Sequence, residues 1–342
     1  MGKERINIAM IGCGAIADHH LQGVLAKKEA YLYAVCDSAT DDRLQKRKEQ
    51  YGAEIAVADY RELLNDPKVD AVIVATPDPS HAEITAAFLR AGKDVLLEKP
   101  MALSLEDCEI MLRAEKESGR RLMVGQVCRY NHNFLQAKEI LDSGRLGELV
   151  FVESEYAHDY STAHKGYDLW RVTPEREGII GGGCHAIDLL RWIAGNPTEV
   201  HAHANHKYLT DWPVNDTTIA VYQFPNNVIG KVFCSIGVKR NYTMRTSVYC
   251  TKGTLIFDSR TTQMELFECD ENGEGYTDVK IIPCDPKGHN MVAEISAFVD
   301  SILMDTPVPI SAIEGASTVA VCRATADSAN TGKTLTIRYP QV

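Results

Sequence analysis

A lysine stands directly after a short buried strand in the segment Asp94-Val95-Leu96-Leu97-Glu98-Lys99-Pro100. The three consecutive apolar residues predict a strand, and Pro100 ends it because proline has no N–H for a sheet. Pro100 also favours an extended backbone at Lys99. A lysine at the carboxyl end of a buried strand can lie in a ligand crevice, where partial desolvation lets it exchange a proton near neutral pH. The alternative interpretation is an ordinary surface ion pair between Lys99 and Glu98.

A histidine begins a predicted amphipathic helix, directly after the run Gly181-Gly182-Gly183-Cys184. The glycines leave room for something to approach closely. His185 shares a helix face with Asp188, which can therefore orient the imidazole. An aspartate in a first helical turn is, however, also favoured by the helix dipole alone. A single histidine at a helix start is usually structural, but Lys99 and the motif described next favour a function for His185.

A dinucleotide-binding motif follows the first strand. Gly12-Cys13-Gly14-Ala15-Ile16-Ala17 stands between the strand Ile6 to Ile11 and a predicted helix, and it has the form G-x-G-x-x-A. Its glycines permit a tight turn and close approach of a pyrophosphate, and the helix start offers free N–H groups. Asp37 ends the next strand, where an acidic side chain binds ribose hydroxyls and repels a 2′-phosphate. The sequence therefore predicts NAD, while Arg43 leaves NADP possible.

The order of elements predicts two domains of the α/β class. Strands and helices alternate from residue 5 to about 127, which is typical of a doubly wound parallel sheet. From about residue 149, strands follow one another with turns between them, which indicates a large, open, mainly antiparallel sheet. We therefore predict an NAD(P)-binding Rossmann domain over 1–127 and a second, α+β domain over 128–342. Thr76 and Pro77 follow a strand of the first domain, where they are expected to border the dinucleotide.

Composition excludes several classes of partner. The net charge of -11 argues against nucleic acid, and no apolar run is long enough for a membrane span. The ten cysteines include no Cys-x-x-Cys pair and several stand in apolar runs, which favours a reducing cytoplasm. The start of the chain lacks a secretory apolar segment, which points the same way. The spacing His201-x-His203-x-x-His206 lacks a supporting carboxylate or cysteine, so no metal is expected.

Together these motifs resemble the glucose–fructose oxidoreductase/inositol dehydrogenase family, written Gfo/Idh/MocA. The resemblance covers essentially the full length and rests on Gly12-x-Gly14-x-x-Ala17, Asp37, Ala75-Thr76-Pro77, Glu98-Lys99-Pro100, Trp170-Arg171 and Gly181 to Asp188. It implies hydride transfer between NAD(P) and a secondary alcohol of a sugar, inositol or related polyol. It also implies that the second domain, 128–342, binds the substrate and forms a homodimer or homotetramer through its sheet. The catalytic lysine and histidine of the family fall on Lys99 and His185.

The resemblance also gives the expected contacts. The residues expected to bind the cofactor are Gly12, Gly14, Ala15, Ile16, Asp37, Thr76, Pro77, His81, Glu98, Lys99, Gln126, Trp170 and Arg171. Many family members have Asp or Asn four residues before the histidine, where this chain has Gly181. Four polar or aromatic residues cluster at the end of the first strand of the second sheet, before Trp170-Arg171. They are candidates to supply the missing contact to the substrate hydroxyl: Tyr156, His158, Asp159 and Tyr160. The expected substrate contacts are Lys99, Tyr156, Asp159, Tyr160 and His185.

The implied chemistry is oxidation of a ring alcohol to a ketone. Since the hydroxyl proton leaves with the hydride, a base is needed, and we assign it to His185. Lys99 then polarises the alcohol oxygen, and the sequence does not distinguish this assignment from the exchanged one. One alternative is glycoside cleavage or epimerisation through a transient 3-keto intermediate with retained NAD. Another is a non-catalytic, NAD- or sugar-responsive regulatory protein, for which Gly181 is the only support.

Overall fold

The protein is described from a computed structural model that covers residues 4–39, 41–163, 169–270, 272–273, 275–285 and 288–341. The chain forms two compact units. The first comprises Met1–Val127, Met291–Ala316 and Pro340–Val342, and the second comprises Cys128–Asn290 and Ser317–Tyr339. The functional division into 1–127 and 128–342 stays a prediction.

The first unit begins with alternating strands and helices. The strands are β1 (Ile6–Ile11), β2 (Ala30–Cys36), β3 (Ile55–Val57), β4 (Ala71–Val74), β5 (Asp94–Glu98) and β6 (Leu122–Gly125). The helices are α1 (Ala17–Ala26), α2 (Arg43–Tyr51), α3 (Arg61–Leu64), α4 (His81–Arg90) and α5 (Leu105–Ser118). Ser104 caps α5 by accepting a hydrogen bond from the Asp107 N–H, and Gly119 ends the helix in a left-handed conformation.

These six strands form one parallel sheet in the order β3-β2-β1-β4-β5-β6. Every residue of β4 and β5 is buried, which is typical of a sheet covered by helices on both faces. The strand order reverses between β1 and β4, and ligands of such sheets bind at the carboxyl ends of the strands beside this point. The predicted doubly wound parallel sheet is confirmed.

The second unit is built on a larger sheet. Its helices are α6 (His132–Asp142), α7 (Tyr160–Ala163), α8 (Gly178–Gly181) and α9 (Cys184–Ala194). Its strands are β7 (Leu149–Ala157), β8 (Glu199–Asn205), β9 (Thr217–Gln223), β10 (Ile229–Ser235), β11 (Thr243–Cys250), β12 (Gly253–Asp258), β13 (Gln263–Glu268), β14 (Lys280–Pro283) and β15 (Leu335–Thr336). Two further helices, α10 (Met291–Leu303) and α11 (Ala312–Thr331), lie near the end of the chain.

The nine strands lie in the order β14-β13-β12-β11-β7-β10-β9-β8-β15. All neighbours are antiparallel except β7 and β10, which run parallel. Thr218, Ala220 and Tyr222 of β9 are buried, whereas the alternating Ile219 and Val221 are 45% and 53% exposed. One face of this sheet therefore carries the core of the unit and the other is open. The predicted open, mainly antiparallel sheet is confirmed.

Helix α10 packs on α1 inside the first unit, although the chain reaches it after the second sheet. Gly23 allows this contact, because a Cβ at that position would stand 2.5 Å from the Ile295 Cδ1. The sequence-based domain limit assigned Met291–Ala316 to the second domain, since helix packing between distant segments leaves no local signal. Across the described ranges, no helix combines the length and apolar character needed to cross a bilayer.

Candidate active site

The glycine loop after β1 leaves an open surface at the start of α1. Gly12 has φ 98°, and a Cβ on it would stand 2.5 Å from the Ala75 carbonyl oxygen, so only glycine fits there. A Cβ on Gly14 would meet no atom within 4 Å. Ala15 is exposed and Ile16 half-buried at the helix start. This arrangement leaves room for a pyrophosphate beside the free N–H groups of the helix.

Asp37 holds its carboxylate against this loop. One oxygen accepts a hydrogen bond from the Cys13 N–H at 2.6 Å, and the other accepts from the Ala39 N–H at 2.8 Å. The side chain is half-buried and each oxygen retains a lone pair for a ribose hydroxyl. Arg43 is held by Asp41 through its Nε at 2.8 Å. These contacts fit NAD. The Asp37 carboxylate lies beside the loop, where it would repel a 2′-phosphate, and the Arg43 guanidinium is already paired with Asp41.

His81 links the loops that follow β4 and β5. Its Nε2 lies 3.0 Å from the Thr76 carbonyl oxygen and its Nδ1 lies 3.1 Å from that of Pro100. The ring is only 1% exposed, which indicates that it positions Thr76 and Pro77 from behind. Lys99 precedes a cis-proline at the end of β5 and is half-buried, and its place in a ligand crevice stays a prediction.

Glu98 is fixed by two partners within the same unit. Its Oε1 lies 2.8 Å from His20 Nε2, and its Oε2 accepts a hydrogen bond from the Lys99 N–H at 3.0 Å. Burial acts to raise the pKa of Glu98, but the hydrogen bond and charge of His20, together with the charge and N–H of Lys99, hold that pKa below its ordinary value. Glu98 therefore orients the backbone that carries Lys99.

A second carboxyl group, Glu294 of α10, lies buried in this unit. Burial and the negative charge of Glu98 raise the pKa of Glu294 well above its ordinary value. Neither of its oxygens has a hydrogen-bond partner within the described part of the chain. Gln126, predicted to contact the cofactor, is 1% exposed, and its side-chain oxygen also has no partner within those residues. The sequence reasoning identified Gln126 but not Glu294.

His185 lies in the first turn of α9 in the second unit and is 3% exposed. Its Nδ1 is 3.3 Å from the Cys128 Sγ, and its ring stacks on that of Tyr156 with centroids 6.0 Å apart. His289 approaches from another segment, with 5.5 Å between the two imidazole centroids. The imidazole therefore stands in a mixed aromatic and sulfur environment rather than in a simple hydrophobic core.

The hypothesis that Asp188 orients His185 is wrong. Both carboxylate oxygens accept hydrogen bonds from Arg129, each at 2.8 Å, and one also accepts from the Thr318 hydroxyl at 3.1 Å. A bidentate guanidinium satisfies a buried carboxylate better than an imidazole on the same helix, since it supplies a full charge and two donors. Asp188 therefore anchors α9.

Further aromatic side chains lie around Tyr156, the tyrosine whose ring stacks on His185. The hydroxyls of Tyr156 and Tyr160 lie 3.0 Å apart, and both rings are buried. His158 and Tyr242 meet edge to face at 5.2 Å. Burial lowers the pKa of His158, and the opposing charge of Asp159 does not reverse the shift.

Asp159 faces another partner. Its carboxylate accepts hydrogen bonds from Ser161 and, at 3.1 Å, from the Lys239 ammonium. The predicted substrate contact at Asp159 is therefore the one least supported by geometry.

Side chains of the protein itself occupy the space beside the glycine run Gly181 to Gly183. The Arg176 guanidinium occupies the space that a Cβ on Gly181 would need, and Tyr156 Cε1 lies 2.5 Å from the corresponding point on Gly182. The guanidiniums of Arg171 and Arg176 lie 4.2 Å and 5.1 Å from the centroid of the Trp170 ring. The close approach predicted from the glycines is therefore made by the protein's own side chains.

Comparison with known proteins decides the family. A model described as "Oxidoreductase family, NAD-binding Rossmann fold" matches residues 6–126, and one described as "GFO/IDH/MocA C-terminal domain" matches 134–256. The chain is 32% identical over 267 residues to inositol 2-dehydrogenase 2 of Saccharopolyspora erythraea, covering 77% of this chain and 76% of that protein. The chain belongs to the Gfo/Idh/MocA family. This membership confirms the resemblance inferred from the motifs.

Two further proteins similar to this Gfo/Idh/MocA oxidoreductase are named as dehydrogenases. Myo-inositol 2-dehydrogenase of Thermotoga maritima is 28% identical over 319 residues, covering 91% of this chain and 92% of that protein. A solved structure of levoglucosan dehydrogenase in complex with NADH superposes with a TM-score of 0.89 at 20% identity, covering 98% of this chain and 100% of the other. The latter shows a shared fold. Membership of the Gfo/Idh/MocA family makes this chain an NAD-binding oxidoreductase.

The first unit of this Gfo/Idh/MocA oxidoreductase fits NAD. The open loop at Gly14 and the carboxylate of Asp37 are the elements that would hold the pyrophosphate and the ribose. The individual cofactor contacts, including Trp170 and Arg171 from the second unit, stay predictions.

Cys128 and His289 beside His185, and Tyr242 beside His289, were not predicted from the sequence. They are far apart in the chain, so no local spacing reveals them. The position of Cys128 directly after the predicted first domain is the one local signal for any of them.

Proposed function

We propose that this oxidoreductase oxidises a secondary hydroxyl of an inositol, a sugar or a related cyclic polyol to a ketone, with NAD as oxidant. The observation that carries the proposal is the buried imidazole of His185 beside the hydroxyl-bearing rings of Tyr156 and Tyr160. Ring faces pack against C–H groups of a cyclic polyol, and phenol groups bond its hydroxyls. The names of the inositol dehydrogenase relatives support this substrate class.

His185 is the proposed base that takes the hydroxyl proton, and Lys99 is the proposed group that polarises the alcohol oxygen. The half-buried position of Lys99 and the hydrogen bond from its backbone N–H to Glu98 support an ordered backbone at this residue. NAD, when bound, supplies the acceptor for the hydride. Tyr156 and Tyr160 are the proposed substrate contacts, and the two catalytic roles remain exchangeable until kinetics separate them.

The test is a screen of cyclic polyols and sugars with NAD, followed at 340 nm, on four variants. We expect Lys99→Met and His185→Gln to lower kcat by about 100- to 10,000-fold, because each removes a group acting in the transition state. Lys116→Met and His132→Gln alter exposed residues of the same types and should retain activity. NAD affinity, measured by fluorescence titration, should change little in any of them.

Several results would redirect the proposal. Full turnover in Lys99→Met would remove Lys99 from the mechanism, and the same result in His185→Gln would remove the base. Product formed without NADH in solution would favour glycoside cleavage or epimerisation with retained NAD. NAD binding without conversion of any polyol or sugar would favour a regulatory protein.

We also propose that two copies associate through the open face of the second sheet, in the cytoplasm. Ile219, Val221 and Ile229 lie on this face at 45%, 53% and 45% exposure, and the Lys231–Glu153 pair lies among them. All ten cysteines are free, which supports a reducing compartment. Val221→Glu should reduce the mass measured by light scattering to that of a monomer, whereas Val279→Glu, at another exposed valine, should not. An unchanged mass in Val221→Glu would place any interface elsewhere.

A further inference from the structure

Cys128, His185 and His289 bring one thiol and two imidazoles together in the second unit. The Cys128 Sγ lies 3.3 Å from the His185 Nδ1 and 3.8 Å from the His289 Nε2, and one donor atom from each residue lies within 4.8 Å of the others. Donors at about 2.0–2.3 Å from a tetrahedral Zn²⁺ stand about 3.3–3.6 Å apart. Two of the three separations are therefore already close to those of a metal-bound set.

We propose that these three side chains form a site for a Zn²⁺-class divalent ion with one open coordination position. A thiolate with two imidazoles is a donor set that favours Zn²⁺ and related soft or borderline transition metals over Mg²⁺ or Ca²⁺. Cys128 and His185 are 1% and 3% exposed, while His289 is exposed. The ion would enter past His289 and meet two donors already desolvated.

The backbones that carry the three donors are tied together by neighbouring residues. Arg129, next to Cys128, forms the bidentate pair with Asp188, one turn after His185 on α9. Asn131 donates its side-chain N–H to the Gly288 carbonyl oxygen at 2.9 Å, directly before His289. Such outer contacts hold ligands in place and normally accompany a metal site.

A cavity of about 260 Å³ opens beside the donors and gives the free position something to face. Cys128, Tyr242, Met244 and His289 are among the residues that line it. The Met244 Sδ lies 3.4 Å from the Cys128 Sγ, and the Tyr242 hydroxyl lies 3.0 Å from the His289 Nε2. The Met244 sulfur and the Tyr242 hydroxyl are therefore near enough to contact an ion held by these donors. The cavity leaves space for a water or a substrate oxygen at the open coordination position.

The site is tested without substrate or NAD, so the outcome is independent of the proposed dehydrogenase activity. Untagged protein is treated with a chelator, dialysed and titrated with Zn²⁺ by calorimetry and with Co²⁺ by absorption spectroscopy. We expect one ion per chain, a thiolate-to-cobalt charge-transfer band, and tetrahedral d–d bands. The thermal midpoint of the wild-type protein should rise with Zn²⁺, because the ion binds the folded state.

Variants decide whether the ion lies at these residues. Cys128→Ser should weaken binding by more than about 100-fold and abolish the charge-transfer band. His289→Gln should weaken binding to a similar degree, and Asn131→Ala should weaken it by about tenfold. Cys250→Ser and His132→Gln are the matched controls and should bind as the wild type does. Circular dichroism of the metal-free variants checks that each is folded. No stoichiometric binding, or binding that survives both Cys128→Ser and His289→Gln, would overturn the site.

Discussion

The Arg129 guanidinium and the Asp188 carboxylate meet through two parallel hydrogen bonds of 2.8 Å, with side chains 9% and 0% exposed. Removing one member of a buried pair leaves the other charged and without compensation. We expect Asp188→Asn to lower the free energy of unfolding by about 3–5 kcal/mol, measured by urea denaturation. The exposed Lys138–Asp142 pair is the control, since Asp142→Asn should cost less than about 1 kcal/mol. Equal effects of the two substitutions would contradict this assignment.

Asp37 should determine the preference between cofactors. Asp37→Ala removes a carboxylate that accepts two backbone N–H groups at the glycine loop and is proposed to bind the ribose. We expect the KM for NAD to rise about 10- to 100-fold, and NADP to be used better than by the wild type. Initial-rate kinetics with both cofactors measure this, and the exposed Asp42→Ala is the control. An unchanged ratio of the two cofactors would assign the selectivity to another residue.

Glu294 should make the protein less stable as pH rises. Its folded-state pKa lies well above the ordinary value, so the stability it contributes is complete below the unfolded-state pKa and is lost as pH rises through the folded-state pKa. Glu294→Gln cannot ionise and should therefore unfold at a higher temperature than the wild type at alkaline pH, with a smaller gain at pH 5.

Thermal midpoints across a pH series measure this effect, with the exposed Glu139→Gln as the reference. A wild-type midpoint that increases with pH, relative to that of Glu294→Gln, would reverse the expected sign.

Gly181 and Arg176 should be energetically coupled. Arg176 is 4% exposed and its guanidinium fills the space that a Cβ at position 181 needs. Gly181→Ala should cost about 1–3 kcal/mol from overpacking. In an Arg176→Ala background the same change should cost less, which a double-mutant cycle of unfolding free energies detects. Strict additivity would mean that the guanidinium moves aside freely.

Zn²⁺ should lower turnover if His185 is the base. A metal-bound imidazole has no lone pair left to take the alcohol proton. Steady-state rates measured during Zn²⁺ titration should therefore fall in proportion to the occupancy measured by calorimetry, and Cys128→Ser should resist this inhibition. Turnover that rises with occupancy would give the ion the task of polarising the alcohol oxygen and remove the base role from His185.

Local patterns in the sequence predicted the parts of the fold whose cause is local. The Gly12–Gly14 turn and the strand before Asp37 each follow from a few adjacent residues. Both sheets were predicted because alternation of elements distinguishes parallel from antiparallel architecture.

The surroundings of His185 could not be predicted in the same way. Cys128 and His289 reach it from 57 and 104 positions away along the chain, so only the folded chain brings the donors together. For Asp188, helical spacing suggested the wrong partner, because it did not account for a guanidinium contributed by a remote segment.

The chain passes between its two compact units four times, at 127/128, 290/291, 316/317 and 339/340. A single cut therefore cannot release either unit whole. A fragment that ends at Val127 would lose α10 and leave uncovered the surface of α1 around Gly23, so recombining this nucleotide-binding half with another protein requires grafting Met291–Ala316 as well.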